Sequence, residues 1–133
     1  MKRQPPSKDN LPSGWSGSDW ETAKEAIRGV IWQQAQSRRP ITYKDLTEER
    51  ALRRFRINHR SATLAALLNE VAAEEHARGG PWVTAYIVLS GTRSSSTGFF
   101  RLVPFSYWKG MTPEAFCEQQ RRLTTAWVAK HPL

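Results

Sequence analysis

Arg50-Ala51-Leu52-Arg53-Arg54-Phe55-Arg56-Ile57-Asn58-His59-Arg60 is the stretch on which the reading of this chain turns. It holds five arginines in eleven residues and no carboxylate. Phe55 and Ile57 interrupt the run, which separates it from a plain solvated tail, and Asn58 and His59 add short polar side chains. Ser61 follows at once and opens the clearest helical pattern in the chain, through Arg78. Leu64, Leu67, Leu68 and Val71 recur at helical spacing, and Ala65, Ala66, Ala72 and Ala73 support them. Gly79, Gly80 and Pro81 end it. A concentrated cationic connector feeding a helix N-terminus suits a phosphate. The competing reading is a solvated face on which these arginines pair with Glu48, Glu49, Glu70 and Glu74.

Working back toward the N-terminus, Thr42 caps a short helix, with Asp45 three residues on and Leu46 and Leu52 as its buried positions. Ile41-Thr42-Tyr43 is extended. Pro40 disfavours helical geometry at Arg39 and so closes an earlier helix. That helix starts from the capping-box pattern Ser18-Asp19-Trp20-Glu21 and runs to about Ser37. Trp20, Ala23, Ile27, Val30, Ile31 and Gln34 form its stripe, and Lys24, Glu25 and Arg28 lie off it. Residues 1–17, with several prolines, glycines, serines and lysines, read as a flexible basic arm ahead of one domain spanning 18–133. Trp15 is the residue that could tuck back onto that domain.

Toward the C-terminus, Trp82 to Leu89 is rich in β-formers and reads as a strand. Gly91 to Gly98 is a polar loop, and Phe99 to Val103 returns as a second strand. Thr112-Pro113-Glu114 starts a final helix to about Ala129, with Phe116, Leu123 and Trp127 on one face and Cys117 beside it. The order helix, short strand, helix, helix, hairpin, helix is α+β and resembles a winged helix-turn-helix. Its recognition helix would begin at Ser61, and the β-hairpin around Gly91–Gly98 would be the wing.

The 133 residues suit a single domain, and a net charge of +8 with a pI of about 10.3 favours a polyanionic partner. Residues 1–60 carry 13 Lys/Arg against 7 Asp/Glu, a surplus of 6, and residues 61–133 carry 7 against 5, a surplus of 2. One cysteine excludes an intrachain disulfide and fits a cytoplasmic protein. No apolar run is long enough for a membrane span, and no signal-peptide core opens the chain.

Residues 27–98 resemble, in outline, the winged-helix DNA-binding domain of the O6-alkylguanine-DNA alkyltransferases and alkyltransferase-like proteins. Thr42-Tyr43-Lys44-Asp45-Leu46 matches that family's Thr-Tyr-Gly-(acid/polar)-Leu segment, with Lys44 in the glycine place. Arg60-Ser61-Ala62 looks like its Arg-Ala-Val-Gly helix start. Pro81-Trp82-Val83-Thr84 stands where its reactive Pro-Cys-His-Arg strand would be, followed by Gly91. The cysteine, histidine and arginine of that motif are missing, so the resemblance implies DNA binding without repair chemistry. It places the family's nucleotide-rotating tyrosine and arginine at Tyr43 and Arg60. The segment from Leu67-Leu68-Asn69-Glu70 to Gly98-Phe99-Phe100 also resembles small bacterial proteins of unassigned function.

These readings converge on non-enzymatic binding of nucleic acid, most simply duplex DNA. The expected contact residues are Tyr43, Arg50, Arg53, Arg54, Arg56, Asn58, His59, Arg60, Ser61, Thr63 and Arg93. No metal-ligand spacing or glycine-rich phosphate loop occurs, so no metal or cofactor is expected. Two alternatives stay open. His59, Glu70 and Glu74 could serve a metal-dependent nuclease. Alternatively, Phe105, Tyr107, Trp108 and Trp127 could form the patch of a protein-interaction module from a phage or mobile element.

Overall fold

The computed structural model describes residues 11–133. Positions 1–10 of the expected N-terminal arm lie outside that range. The rest of the arm is docked: Leu11 and Trp15 pack against the core, and the Trp15 ring lies 6.0 Å from Trp20 and 4.9 Å from Phe55.

Helix α1 spans Gly17–Ser37. Its N-cap is Ser16 rather than the expected Ser18. The Ser16 hydroxyl accepts from the Asp19 amide and the Asp19 carboxylate accepts from the Ser16 amide, a complete capping box two residues earlier. Arg38, at φ 58°, closes the helix in the left-handed region. Strand β1 (Ile41–Thr42) leads directly into α2 (Tyr43–Glu48), for which Thr42 is the N-cap. One further turn, α3 (Arg50–Arg53), precedes the connector to α4 (Ala62–Ala77). As expected, the Ser61 hydroxyl caps α4, and Leu46 and Leu52 are buried.

The chain then turns at Gly79 and Gly80. A Cβ on Gly80 would lie 2.9 Å from both the Glu75 carbonyl and the Trp127 ring, so only glycine fits this close crossing. Beyond it the expected strand is mostly absent. Residues 82–88 are all buried, which leaves no solvent face for alternation. Val83–Tyr86 instead forms a 3₁₀ turn through the core, packed on α1, α4 and the last helix. Only Ile87–Val88 is extended, as β2. It pairs parallel with β1 in the register Ile41 to Ile87 and Thr42 to Val88.

The expected β-hairpin is therefore corrected. Phe99 to Val103 does not return as a strand; Thr97–Leu102 is a short helix, α5. A short apolar run fits either period, and packing decides. Phe99 and Val103, four apart, face Phe116, Cys117 and Ala72 in a second, smaller core. A 3₁₀ turn at Phe105–Tyr107 leads to α6 (Pro113–Lys130), capped by Thr112 as expected. On α6, Phe116 is fully buried and Cys117 is part of the packing, whereas Leu123 is exposed. The result is a mostly helical α+β domain with one two-residue parallel strand pair. No helix among the described residues is long and apolar enough to cross a membrane.

Candidate functional site

The connector owes its shape to three apolar anchors. Leu52 is fully buried, and Phe55 and Ile57 pack half-buried against the main core. The intervening cations are thereby displayed: Arg50, Arg53, Arg54, Arg56 and Arg60 are all exposed. Among the described residues, none of the five forms an ion pair, so the expected alternative pairing with Glu48, Glu49, Glu70 and Glu74 does not form. Arg54 instead lies over the Phe55 ring, its guanidinium carbon 4.1 Å from the centroid. Its field also adds a little to the lowering of the Asp19 carboxyl, which is due first to hydrogen bonds from Ser16. Arg56 has φ 51°, a left-handed conformation that costs a non-glycine residue about 1–2 kcal/mol.

The end of the connector is a self-contained turn. The Asn58 side-chain oxygen accepts from the Arg60 amide at 2.8 Å. The Ser61 hydroxyl donates to the Asn58 carbonyl at 2.7 Å and accepts from the Leu64 amide at 3.2 Å. Asn58 and Ser61 are thus largely committed to shaping this turn and capping α4. Thr63 is half-exposed one turn into the same region.

A cavity of about 590 Å³ opens beside this turn. The first turn of α2, the segment His59–Ser61, the first half of α4 and the loop after β2 all border it. Tyr43 ties two of these walls together, its hydroxyl oxygen accepting from the Ser96 amide at 2.8 Å. The connector and the 89–98 loop therefore flank one opening. Arg93, on that loop, has an exposed side chain and a fixed backbone: its carbonyl accepts from Arg121 Nη1 at 2.9 Å, and the same nitrogen donates to the Ala85 carbonyl. Burial pulls the Arg121 guanidinium below the usual arginine range.

His59 lines this cavity, whereas Glu70 and Glu74 belong to the seam between α1 and α4. Lys24 and Arg28, expected off the apolar stripe, are 2% and 3% exposed there. Lys24 Nζ lies 2.6 Å from Glu74 and 3.4 Å from Glu70, and Arg28 lies 2.9 Å from Glu74 and 3.4 Å from Glu75. Trp20 donates its indole N–H to Glu70 at 3.1 Å, and Trp127 donates to Glu75 at 3.2 Å. Burial opposes the charge on Glu74, but hydrogen bonds from Lys24 and Arg28 outweigh it and lower its pKa. The same balance, with bonds to Glu74 and Glu21, raises Lys24. The trio His59, Glu70 and Glu74 is thus not assembled, and no group of three potential metal ligands occurs among the described residues.

Of the aromatic patch, Phe105 and Tyr107 are exposed and Trp108 and Trp127 are half-buried. Tyr107 and Trp127 border a shallow cleft of about 430 Å³, with His76 stacked on Trp82 at 4.0 Å. Sequence periodicity offered no signal for the cavity residues Lys44, Asn69 and Thr84. They come from three separate elements and meet only in the fold. Comparison with protein-family models, with curated proteins and with solved structures gives no match.

Proposed function

We propose that this chain is a non-enzymatic nucleic-acid-binding protein that grips duplex DNA through the connector 50–60 and the first turn of α4. The observation that carries the reading is the set of five exposed arginines without carboxylate partners among the described residues. Lys24 and Arg28, in the α1–α4 seam, are each matched to glutamates. The connector has no such matching among the described residues, and a phosphate backbone supplies the missing negative charge. In this reading α2 and α4 act as a helix-turn-helix-like pair, Arg60 and Thr63 face base edges, and Arg50, Arg53, Arg54 and Arg56 hold phosphates. The loop bearing Arg93 takes the part of a wing without being a hairpin. His59 and Tyr43 border the cavity between the two. The carboxylates of α4 weigh little against this, because Glu70, Glu74 and Glu75 are drawn into ion pairs with Lys24, Arg28 and Arg78.

Fluorescence anisotropy with duplex DNA, single-stranded DNA and RNA at two salt concentrations tests the proposal. Duplex affinity should fall with salt at about −0.9 log units per log unit for each phosphate contact. Arg60→Ala or Thr63→Ala should shift preference among sequences by about 1–3 kcal/mol for each base-edge hydrogen bond removed. Salt-independent binding, or none at low salt, would remove the proposal.

A further inference from the structure

The cavity beside the connector holds hydrogen-bonding capacity that the protein does not use. Thr84 is 4% exposed and lines it, and its hydroxyl makes no hydrogen bond among the described residues while staying open to the cavity. Asn69 lines it from α4, and its side-chain amide is likewise unpaired among the described residues. Tyr43 accepts from Ser96 and keeps its own hydroxyl proton to donate. Neither the Thr84 nor the Asn69 side chain is among the sealed polar atoms that lack partners, so water reaches both through the cavity mouth, and a ligand that displaced that water would find their hydrogen bonds free.

The walls say what shape that partner has. Leu64, Leu68 and Phe99 give an apolar surface, and the volume falls in the range of small-molecule sites. Among the described residues, Lys44 and Arg60 border the cavity, are exposed and form no ion pair, and Asp45 is the sole carboxylate of the lining. A fitting ligand has a flat apolar body, a hydrogen-bonding edge and an anionic end. A primary amide presents a donor and an acceptor side by side, which matches the edge of a nucleobase.

We propose that this cavity binds a free nucleoside monophosphate, its base held by Asn69 and Thr84 against Leu64, Leu68 and Phe99, its phosphate toward Lys44 and Arg60. The inference shares Arg60 with the connector, but Asn69, Thr84, Lys44 and the apolar wall belong to the cavity alone, so either reading can fail without the other.

Calorimetric titration of the full chain with AMP, GMP, CMP and UMP, and with inorganic phosphate and benzoate as controls, tests it. At least one nucleotide should bind saturably and more tightly than either control. Asn69→Leu and Thr84→Val should each weaken that nucleotide about tenfold, as expected for removal of a buried hydrogen bond. Their affinity for duplex DNA should stay within about twofold, as expected for positions outside the connector and the first turn of α4. Thermal melting establishes that both variants fold. The proposal is overturned if no nucleotide saturates at millimolar concentration, if phosphate or benzoate matches the best nucleotide, or if both folded variants keep the parent affinity. Nucleotide binding without DNA binding would sink the proposed function and leave this site standing. DNA binding without nucleotide binding would do the reverse.

Discussion

Two regions of this molecule are dense in cations, and they use them in opposite ways. In the α1–α4 seam, Lys24 and Arg28 are buried and share Glu70, Glu74 and Glu75. In the connector, five arginines are exposed and unpaired among the described residues. The difference is not composition, since Glu48 and Glu49 lie immediately before the connector in sequence. It is geometry. Two long helices face each other along the seam, so Glu70 and Glu74, four apart on α4, stand in register with Lys24 and Arg28, four apart on α1. A connector pinned at Leu52, Phe55 and Ile57 faces no such helix.

The sharpest way to break the comparison is to remove one seam cation. Lys24→Met should cost about 3 kcal/mol, because it strands carboxylates that are partly or wholly buried, and urea unfolding would read it. A fall in nucleic-acid binding in proportion to unfolded protein only would assign the seam to stability. The converse is the triple change Arg53→Ala, Arg54→Ala and Arg56→Ala. Its effect on unfolding should be within about 0.5 kcal/mol, while the salt slope of DNA binding should shrink by about 2.7, or about 0.9 for each of three phosphates released. An unchanged slope would mean that these arginines merely face water.

Acid gives a third, smaller contrast. Glu74 has its folded pKa lowered, so its contribution is present above the unfolded carboxyl value near 4.5 and is lost as pH falls through the folded value. Lys24 is raised, so its share is full below its ordinary value near 10.5 and is lost only as pH climbs past the folded one. Stability from the seam should be level between those limits and decline in acid, and Glu74→Gln should flatten the acid limb. The smallest effect is expected at Arg56, where glycine would relieve the left-handed backbone. Arg56→Gly should be about 0.5 kcal/mol more stable or neutral, since relief of strain offsets the greater freedom of glycine in the unfolded chain. DNA affinity should still drop, which would separate fold from binding at one position.

Local chemistry made much of the fold legible in advance. The caps Thr42, Ser61 and Thr112 and the stop at Gly79–Gly80 act within a few residues, so periodicity and capping rules reach them. The failures share a cause. Phe99 to Val103 and Trp82 to Leu89 are short apolar runs whose geometry is chosen by what packs on them, here α6 and α4. Lys24 and Arg28 read as solvated because their partners on α4 lie 46 to 50 positions away. For the candidate site, the connector was evident as a charge cluster. The cavity was not, because Lys44, Asn69 and Thr84 become neighbours only after the strands pair.

That pairing bears on how the chain reaches its native state. Joining Ile41 to Ile87 closes a loop of 46 residues for the sake of two short strands. Loop-closure entropy makes such a pairing a poor nucleus, so it should form after α1 and α4 have docked. A conservative truncation such as Ile87→Val should then accelerate unfolding and leave the refolding rate nearly unchanged.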